Sequence, residues 1–276
     1  MKKLIIFLSI VAMLVSCSKE TEDITNVSEK ETVTLTFSPY TMSSMTRSVV
    51  SIANVVTHLD VWFVEGDNIT DVHQTIADDG FGTITVTLDK TKTYTLYAVG
   101  HKADGATLSD GIISFTDDKV THSMYYTETF SPSTKTSLSC EMTRIVAQFV
   151  FTTTDACPDG TTKATFTIDN VYDRWSITSG GSHQLNRTST FSNFTTRNDG
   201  TVTFNIYAIV TDAQTLHDIT VVAYDSDDNV IQSRVFEDVP LRNNYKTTYQ
   251  GTFFTDTPTA ATFTIGDWNE YDVVNF

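Results

Sequence analysis

Positive charge is scarce in this 276-residue chain, and so are cysteine and every residue spacing that marks an enzyme. Only 18 Lys and Arg stand against 34 Asp and Glu, for a formal net charge of −16 and a pI near 4.5. Nucleic-acid binding needs the opposite sign and is set aside. The same acidity argues against a surface lying along anionic lipid. Three cysteines occur, at 17, 140 and 157, with no CxxC or CxxxxC spacing. An expected strand over Thr143–Thr153 separates the last two. At ~3.3 Å per residue its ends are more than ~30 Å apart, whereas a disulfide needs Cα atoms within ~7 Å. Cys140 and Cys157 therefore read as unpaired thiols. The six histidines (58, 73, 101, 122, 183 and 217) show no HExxH or HxH grouping, and neither GxSxG nor GxxxxGK[ST] appears. No catalytic residue, metal site or cofactor is expected. Long helical periodicity is missing too, because no extended window keeps apolar residues at i, i+3, i+4 and i+7.

Long apolar runs are rare as well. The longest, Leu4–Val15, has twelve residues behind Lys2 and Lys3, too short to span a bilayer and typical of a secretory signal. It ends in Leu14-Val15-Ser16-Cys17, the form of a bacterial lipobox, [LV]-x-[SAG]-C. Cys17 is expected to carry the lipid and to become the new N-terminus, so that acyl chains at ~0.8 kcal/mol per buried CH₂ hold the chain to a membrane. The polar, acidic stretch behind it reads as a flexible tether. Its Ser18-Lys-Glu-Thr-Glu-Asp23 opening resembles the short acidic signal that sends certain lipoproteins to the outer face of an outer membrane, and a solvated linker has the same character. No later segment approaches 18 apolar residues.

What is present in quantity is period two. Runs at Val33–Phe37, Leu59–Val64, Ile84–Leu88, Tyr94–Val99, Ile145–Phe151, Ala164–Ile168, Val202–Val210, Ile219–Tyr224 and Ala261–Ile265 are rich in Thr, Val, Ile, Phe and Tyr. Such side chains suit a pleated, half-buried surface. Asp79-Gly80, Asp159-Gly160 and Asp199-Gly200 punctuate them as turns. The expectation is an all-β fold of sandwiches or barrels. Length suggests two domains, and the Ser/Thr/Pro stretch Ser131–Ser139 is the best boundary. The resulting division is a signal peptide at 1–16, a lipidated tether at 17–31, and β-sandwich domains at 32–139 and 140–276. A faint echo links the halves, with Leu96-Tyr-Ala-Val99 matching Ile206-Tyr-Ala-Ile209.

Two features invite a binding role. Asp225, Asp227 and Asn229 match positions 1, 3 and 5 of an EF-hand loop, but Val230 and Phe236 replace the required Gly and Glu. The segment reads instead as a hairpin turn. Trp62, Trp175 and Trp268 could build a sugar platform on a surface glycan-binding lipoprotein, or they could pack in a core or between domains.

Several segments together resemble the fimbrillin family, the subunits of type V pili of Bacteroidales, and most of all its fimbrillin-associated anchor branch. The matching pieces are the lipobox at Cys17, Phe37-Ser-Pro-Tyr40 with Met45-Thr-Arg47-Ser48, Thr57–Val64 and Tyr94–Gly100. They continue with Met142–Ala147, Val239–Gly251 and the terminal Trp268. The resemblance implies two tandem transthyretin-like, Greek-key β-sandwiches and assembly by strand exchange with other subunits of the same pilus. It also implies an outer membrane lipid anchor exposed at the cell surface. In stalk subunits of this family an arginine-specific protease removes the first strand, and a neighbour's C-terminal strand fills the gap. Arg47 stands near that position here. Cut, the chain would be a stalk or tip pilin; uncut, an anchor. Residues 261–276, with Phe263, Ile265 and Trp268, are the candidate donor strand, unless they complete their own sheet.

Overall fold

The computed structural model describes residues 29–40, 51–255 and 263–268. The first half holds β1 (Lys30–Pro39), β2 (His58–Glu65), β3 (Asn68–Thr75), β4 (Thr83–Asp89) and β5 (Tyr94–His101). The short pair β6 (Ala106–Ser109) and β7 (Ile112–Phe115) follows, then β8 (Met124–Phe130) and β9 (Ser137–Arg144). The second half holds β10 (Ala147–Thr153), β11 (Lys163–Ser176), β12 (Gly180–Ser192), β13 (Thr203–Ala208), β14 (Thr215–Tyr224), β15 (Val230–Leu241), β16 (Tyr245–Gly251) and β17 (Phe263–Asp267). The fold is nearly all β, and each of the nine expected runs contributes a strand.

Strands of the first half pair in the order β3-β2-β5-β8-β9-β1-β4. At the β8–β9 step only Met124↔Arg144 and Tyr125↔Thr143 pair, so the sheet turns a corner there and its two parts face each other. Val33, Leu35 and Phe37 of β1 and Leu138, Cys140 and Met142 of β9 thereby meet Leu59, Val61 and Phe63 of β2 and Leu96 of β5 in one core. In the second half β13-β10-β16-β17 forms one sheet, and β11, with β12 on one side and β14-β15 on the other, belongs to a second. Phe149, Phe151, Phe166, Phe204 and Phe236 fill the core between them.

A third cluster joins the halves. The β6–β7 hairpin leaves the first half and pairs with β11 through Ser114↔Arg174, Ile113↔Trp175 and Ile112↔Ser176. Ile113 and Phe115 there pack with Trp62, Val99, Ile145, Val146, Ile209 and Trp268, with Trp175 partly buried against them. All three tryptophans thus sit in the junction. The four-residue echo acquires a physical meaning at the same place. Leu96 and Ala98 point into the first core and Ile206 and Ala208 into the second, while Tyr97, Val99, Tyr207 and Ile209 all face the junction.

The expected continuous strand over Thr143–Thr153 is corrected. β9 ends at Arg144 and β10 starts at Ala147 in a different sheet. At the corner Ile145 N–H donates to Ser123 O (3.1 Å), and Val146 O accepts from Asn244 N–H (3.0 Å). Both side chains are buried in the junction, so the apolar run continues through the bend without a break in hydropathy. The thiols are nonetheless free, Cys140 in the first core and Cys157 half-buried. Burial pushes the Cys140 thiol up to about 12. Asp225–Asn229 is the expected hairpin turn between β14 and β15, where the Asp225 carboxylate accepts from the Asp227 and Asn229 amides (2.9 Å each).

Because Leu35 is fully buried in β1, Leu35→Ala is expected to cost about 2–5 kcal/mol, read as a lowered urea midpoint at unchanged slope.

Candidate assembly site at the two chain ends

The sequence placed its functional residues at the ends of the chain, and the fold gives those ends different environments. β1 alternates threonine with large apolar residues, so that Val33, Leu35 and Phe37 point inward while Thr32, Thr34 and Thr36 face away from the core. Although it opens the described chain, β1 is an interior strand. It runs antiparallel to β4 from Lys30↔Asp89 to Thr36↔Thr83, and parallel to β9 from Thr34↔Ser137 to Pro39↔Met142. Its Phe37 N–H donates to Gly82 O at 2.8 Å. Gly82 has φ +91°, and a Cβ there would lie 2.5 Å from Ile52 Cγ2, so only glycine lets this turn close against β1. Ile52 belongs to the short 3-10 turn Ile52–Asn54, which follows the segment 41–50. Cys17 and Arg47 lie outside the described residues.

Among the described residues the other end is an edge. There β17 pairs with β16 alone, antiparallel from Tyr245↔Asp267 to Tyr249↔Phe263. The candidate donor residues Phe263 and Ile265 are half-buried within the chain's own sheet. The Phe263 ring lies 6.4, 6.2 and 5.9 Å from the rings of Phe149, Phe236 and Tyr249.

Trp268, just past β17, is 6% exposed and held on three sides. The His122 ring stacks on it at 4.8 Å and the Tyr207 ring at 6.0 Å. The Arg144 guanidinium lies 4.3 Å from the indole centroid, a cation–π contact shielded from water. Arg144 Nη1 also donates to the Trp268 carbonyl (2.6 Å) and to Asn244 Oδ1 (3.3 Å), and Nε donates to His122 Nε2 (3.0 Å). One guanidinium thus reads both the ring and the backbone of Trp268. His122 must be neutral to accept that bond. Burial, then the Arg144 and Lys102 charges, hold its pKa well below the ordinary histidine value.

Residues that sequence reasoning gave no role do much of the work here. Arg144 lies within the Met142–Ala147 segment and Tyr207 within the echo, but neither spacing announced a contact with Trp268 124 or 61 residues away. A second grouping was also missed. Strand register brings His58, His73 and His101 around Asp60, although no HxH pattern links them. Asp60 is 7% exposed and accepts from His101 Nε2 (2.6 Å) and His73 Nδ1 (2.8 Å). His58 stacks on His101 at 5.5 Å, and burial, then the His101 and His73 charges, lower its pKa. No arrangement able to hold a metal ion occurs among the described residues. The cluster satisfies a buried carboxylate from two neighbouring strands.

No protein-family model and no curated protein matches the chain. Solved structures do. The chain is similar to a candidate adhesin from Bacteroides ovatus, at 15% identity and TM-score 0.52, over 87% of this chain and 95% of that one. It is similar to a candidate polysaccharide-binding protein from Bacteroides thetaiotaomicron, at 10% identity and TM-score 0.51, over 86% and 96%. The fimbrial anchor protein Mfa2 from Porphyromonas gingivalis follows at 11% identity and TM-score 0.49, over 87% and 98%. The first two likenesses show a shared fold.

Protonation of His122 costs the folded chain more than the unfolded one, whose histidine titrates near ~6.5. Stability from this group is complete above that value and falls as pH drops below it, because the unfolded state then binds more protons. Urea unfolding at pH 7 and pH 5 is expected to show a loss on acidification that is smaller in His122→Phe than in the wild type.

Proposed function

We propose that the chain is a surface-exposed outer-membrane lipoprotein that anchors or nucleates a fimbria and is joined to the next subunit by β-strand exchange. In this reading Cys17 carries the lipid, residues up to 31 form the tether, and two sandwich units follow, meeting at the bend between Arg144 and Ala147. The role is mechanical rather than catalytic, with other subunits of the same fimbria as partners.

The observation that carries the reading is the interior position of β1. Taking β1 out would unpair one edge of β4 and one of β9 and uncover the core around Val33, Leu35 and Phe37. Such a vacancy is a template for an incoming strand. A chain that keeps β1 has that template filled and stays continuous with its tether, as an anchor requires. The fold shared with a candidate adhesin supports a surface role. The glycan-binding alternative loses the tryptophan platform it rested on, since Trp62 and Trp268 are buried and Trp175 packs with them in the junction.

Everything else in the assignment turns on Arg47. Cleavage after it would separate β1 and lipid from the rest and make the product a stalk or tip subunit. The test is to express the full precursor in a Bacteroidales host with its native arginine-specific protease and to sequence and weigh the cell-associated form. An acylated Cys17 at the N-terminus, with residues 30–47 retained, is expected. A chain starting at Ser48 would overturn the anchor assignment.

A further inference from the structure

A cleft of about 630 Å³ opens on the second half, and neither β1 nor β17 lines it. Its walls are β12, β13 and the turn that leads out of β7. Among the described residues β12 and β13 are outermost strands of their two sheets, so the cleft enters the sandwich at its open side. Its volume falls within the ~300–1,000 Å³ of small-molecule sites. The turn is strained. Asp117 and Asp118 follow one another at φ +57° and +50°, a left-handed conformation that non-glycine residues rarely adopt in succession. Such strain persists only where the surroundings hold it, and it collects at ligand sites. Here the hold is Arg187 of β12, whose Nη2 donates to the Asp118 carbonyl (3.4 Å).

Arg187 is half-buried between the walls. Its Nη1 donates to Ser189 Oγ (3.1 Å) and across the gap to the Tyr207 carbonyl (3.3 Å). All three partners are neutral, and among the described residues no carboxylate lies within ion-pair distance of this guanidinium. The acids whose charges reach it are engaged elsewhere. Asp173 accepts from His183 Nδ1 (2.9 Å), and Arg174 lies 3.7 Å from Asp173 and 3.9 Å from Asp118. Burial lowers the Arg187 pKa in spite of both carboxylates. The side chain therefore keeps N–H donors to spare, Nε among them, and lacks a close counter-ion. Asn205 of β13 is a second donor on the same cleft. Its carboxamide oxygen accepts from Gln148 (2.9 Å), which leaves its amide hydrogens for a ligand. Leu185 and Phe191 add apolar surface, and exposed Lys119 adds a positive charge on the turn. Asp117, Asp118 and Asp173 also line the cleft, and their charge repels a dense polyanion.

We infer that this cleft binds a saccharide carrying one carboxylate, a uronate or a sialate, with the carboxylate on Arg187, hydroxyls on Asn205 and Asp117, and a ring face on Phe191. Arg187 supplies the charge-assisted donors that a carboxylate takes in pairs. A sugar also matches the mixture of donors, acceptors and apolar patches better than an acidic peptide does. No tryptophan lines this cleft, so it is not the platform that burial in the junction removes. The inference does not rest on the anchor reading, since a stalk or tip subunit would present the same walls.

Isothermal titration calorimetry of the purified full chain tests it, with sialyllactose and glucuronosyl xylotriose as probes. Saturable binding of at least one is expected, and the one that binds identifies the kind of acid. Its methyl ester, which keeps every hydroxyl and loses the charge, should bind about tenfold more weakly, and the acid should lose about as much against Arg187→Gln. Because Arg187 also ties the turn to β13, circular dichroism checks that variant. Where it does not fold, Lys119→Glu at an exposed site gives the charge reading, with an expected loss of about threefold. No saturable binding of either saccharide at millimolar concentration, or an ester that binds as well as its acid, would overturn the proposal. Undiminished binding to folded Arg187→Gln, or to Lys119→Glu where that variant alone folds, would overturn it too. Equal binding of a capped Ser-Glu-Ser tripeptide would also overturn it, by giving the cleft to acidic peptides. None of these results alters the N-terminus of the cell-associated form, so failure here and failure of the anchor reading are separable.

Discussion

A strand that begins the described chain and yet lies inside a sheet constrains the rest of this molecule. β1 is bonded on both sides and carries three of the buried residues that close the first core. The first half cannot complete its sheet until its earliest residues arrive between β4 and β9, strands that follow much later in the chain. Parallel pairing with β9 makes this a non-local contact of roughly a hundred residues, the kind that forms late and at high loop-closure entropy. A fold built this way is sensitive to what happens just after β1, which gives Arg47 its weight.

The two halves are coupled through their aromatic faces rather than through a linker. β5 and β13 each send alternate residues into their own core and the others into the junction, so that Tyr97 and Tyr207 meet a shared cluster. The β6–β7 hairpin extends a sheet of the second half, and Arg144 closes the arrangement by stacking on Trp268. Buried arginine is costly unless its donors are used. Here Nη1 engages a carbonyl and an amide oxygen, Nε a neutral imidazole, and the indole covers the guanidinium face. Trp268 is therefore held by one dense polar contact and β1 by a distributed apolar one.

These differences explain what could be read from the residues alone. Strands with one dry face, such as β1, β4 and β14, declare themselves by alternation, because Val, Leu and Ile must point one way and Thr the other. β3 and β12 have no buried residue and hence no periodic signal; they are strands because β2 and β11 offer edges to pair with. The run through Ile145 and Val146 misleads for the opposite reason, since every residue from Ile145 to Phe149 is buried and the bend leaves no polar mark. Trp268 was visible as a terminal landmark, and the expectation that tryptophans pack in a core or between domains describes the junction well. Arg144, His122 and the Asp60 histidines were invisible as groups, because cross-strand neighbours are set by register and not by spacing in the chain.

The claim on which the account depends is that β1 belongs to the cooperative core and is not a detachable leader. Native-state hydrogen exchange of the purified full chain, resolved by peptide, measures this directly. Amides of residues 30–38 are expected to exchange with those of β4 and β9, at the rate of global unfolding. Exchange of that segment a hundredfold faster than its neighbours, as for a fraying end, would contradict it.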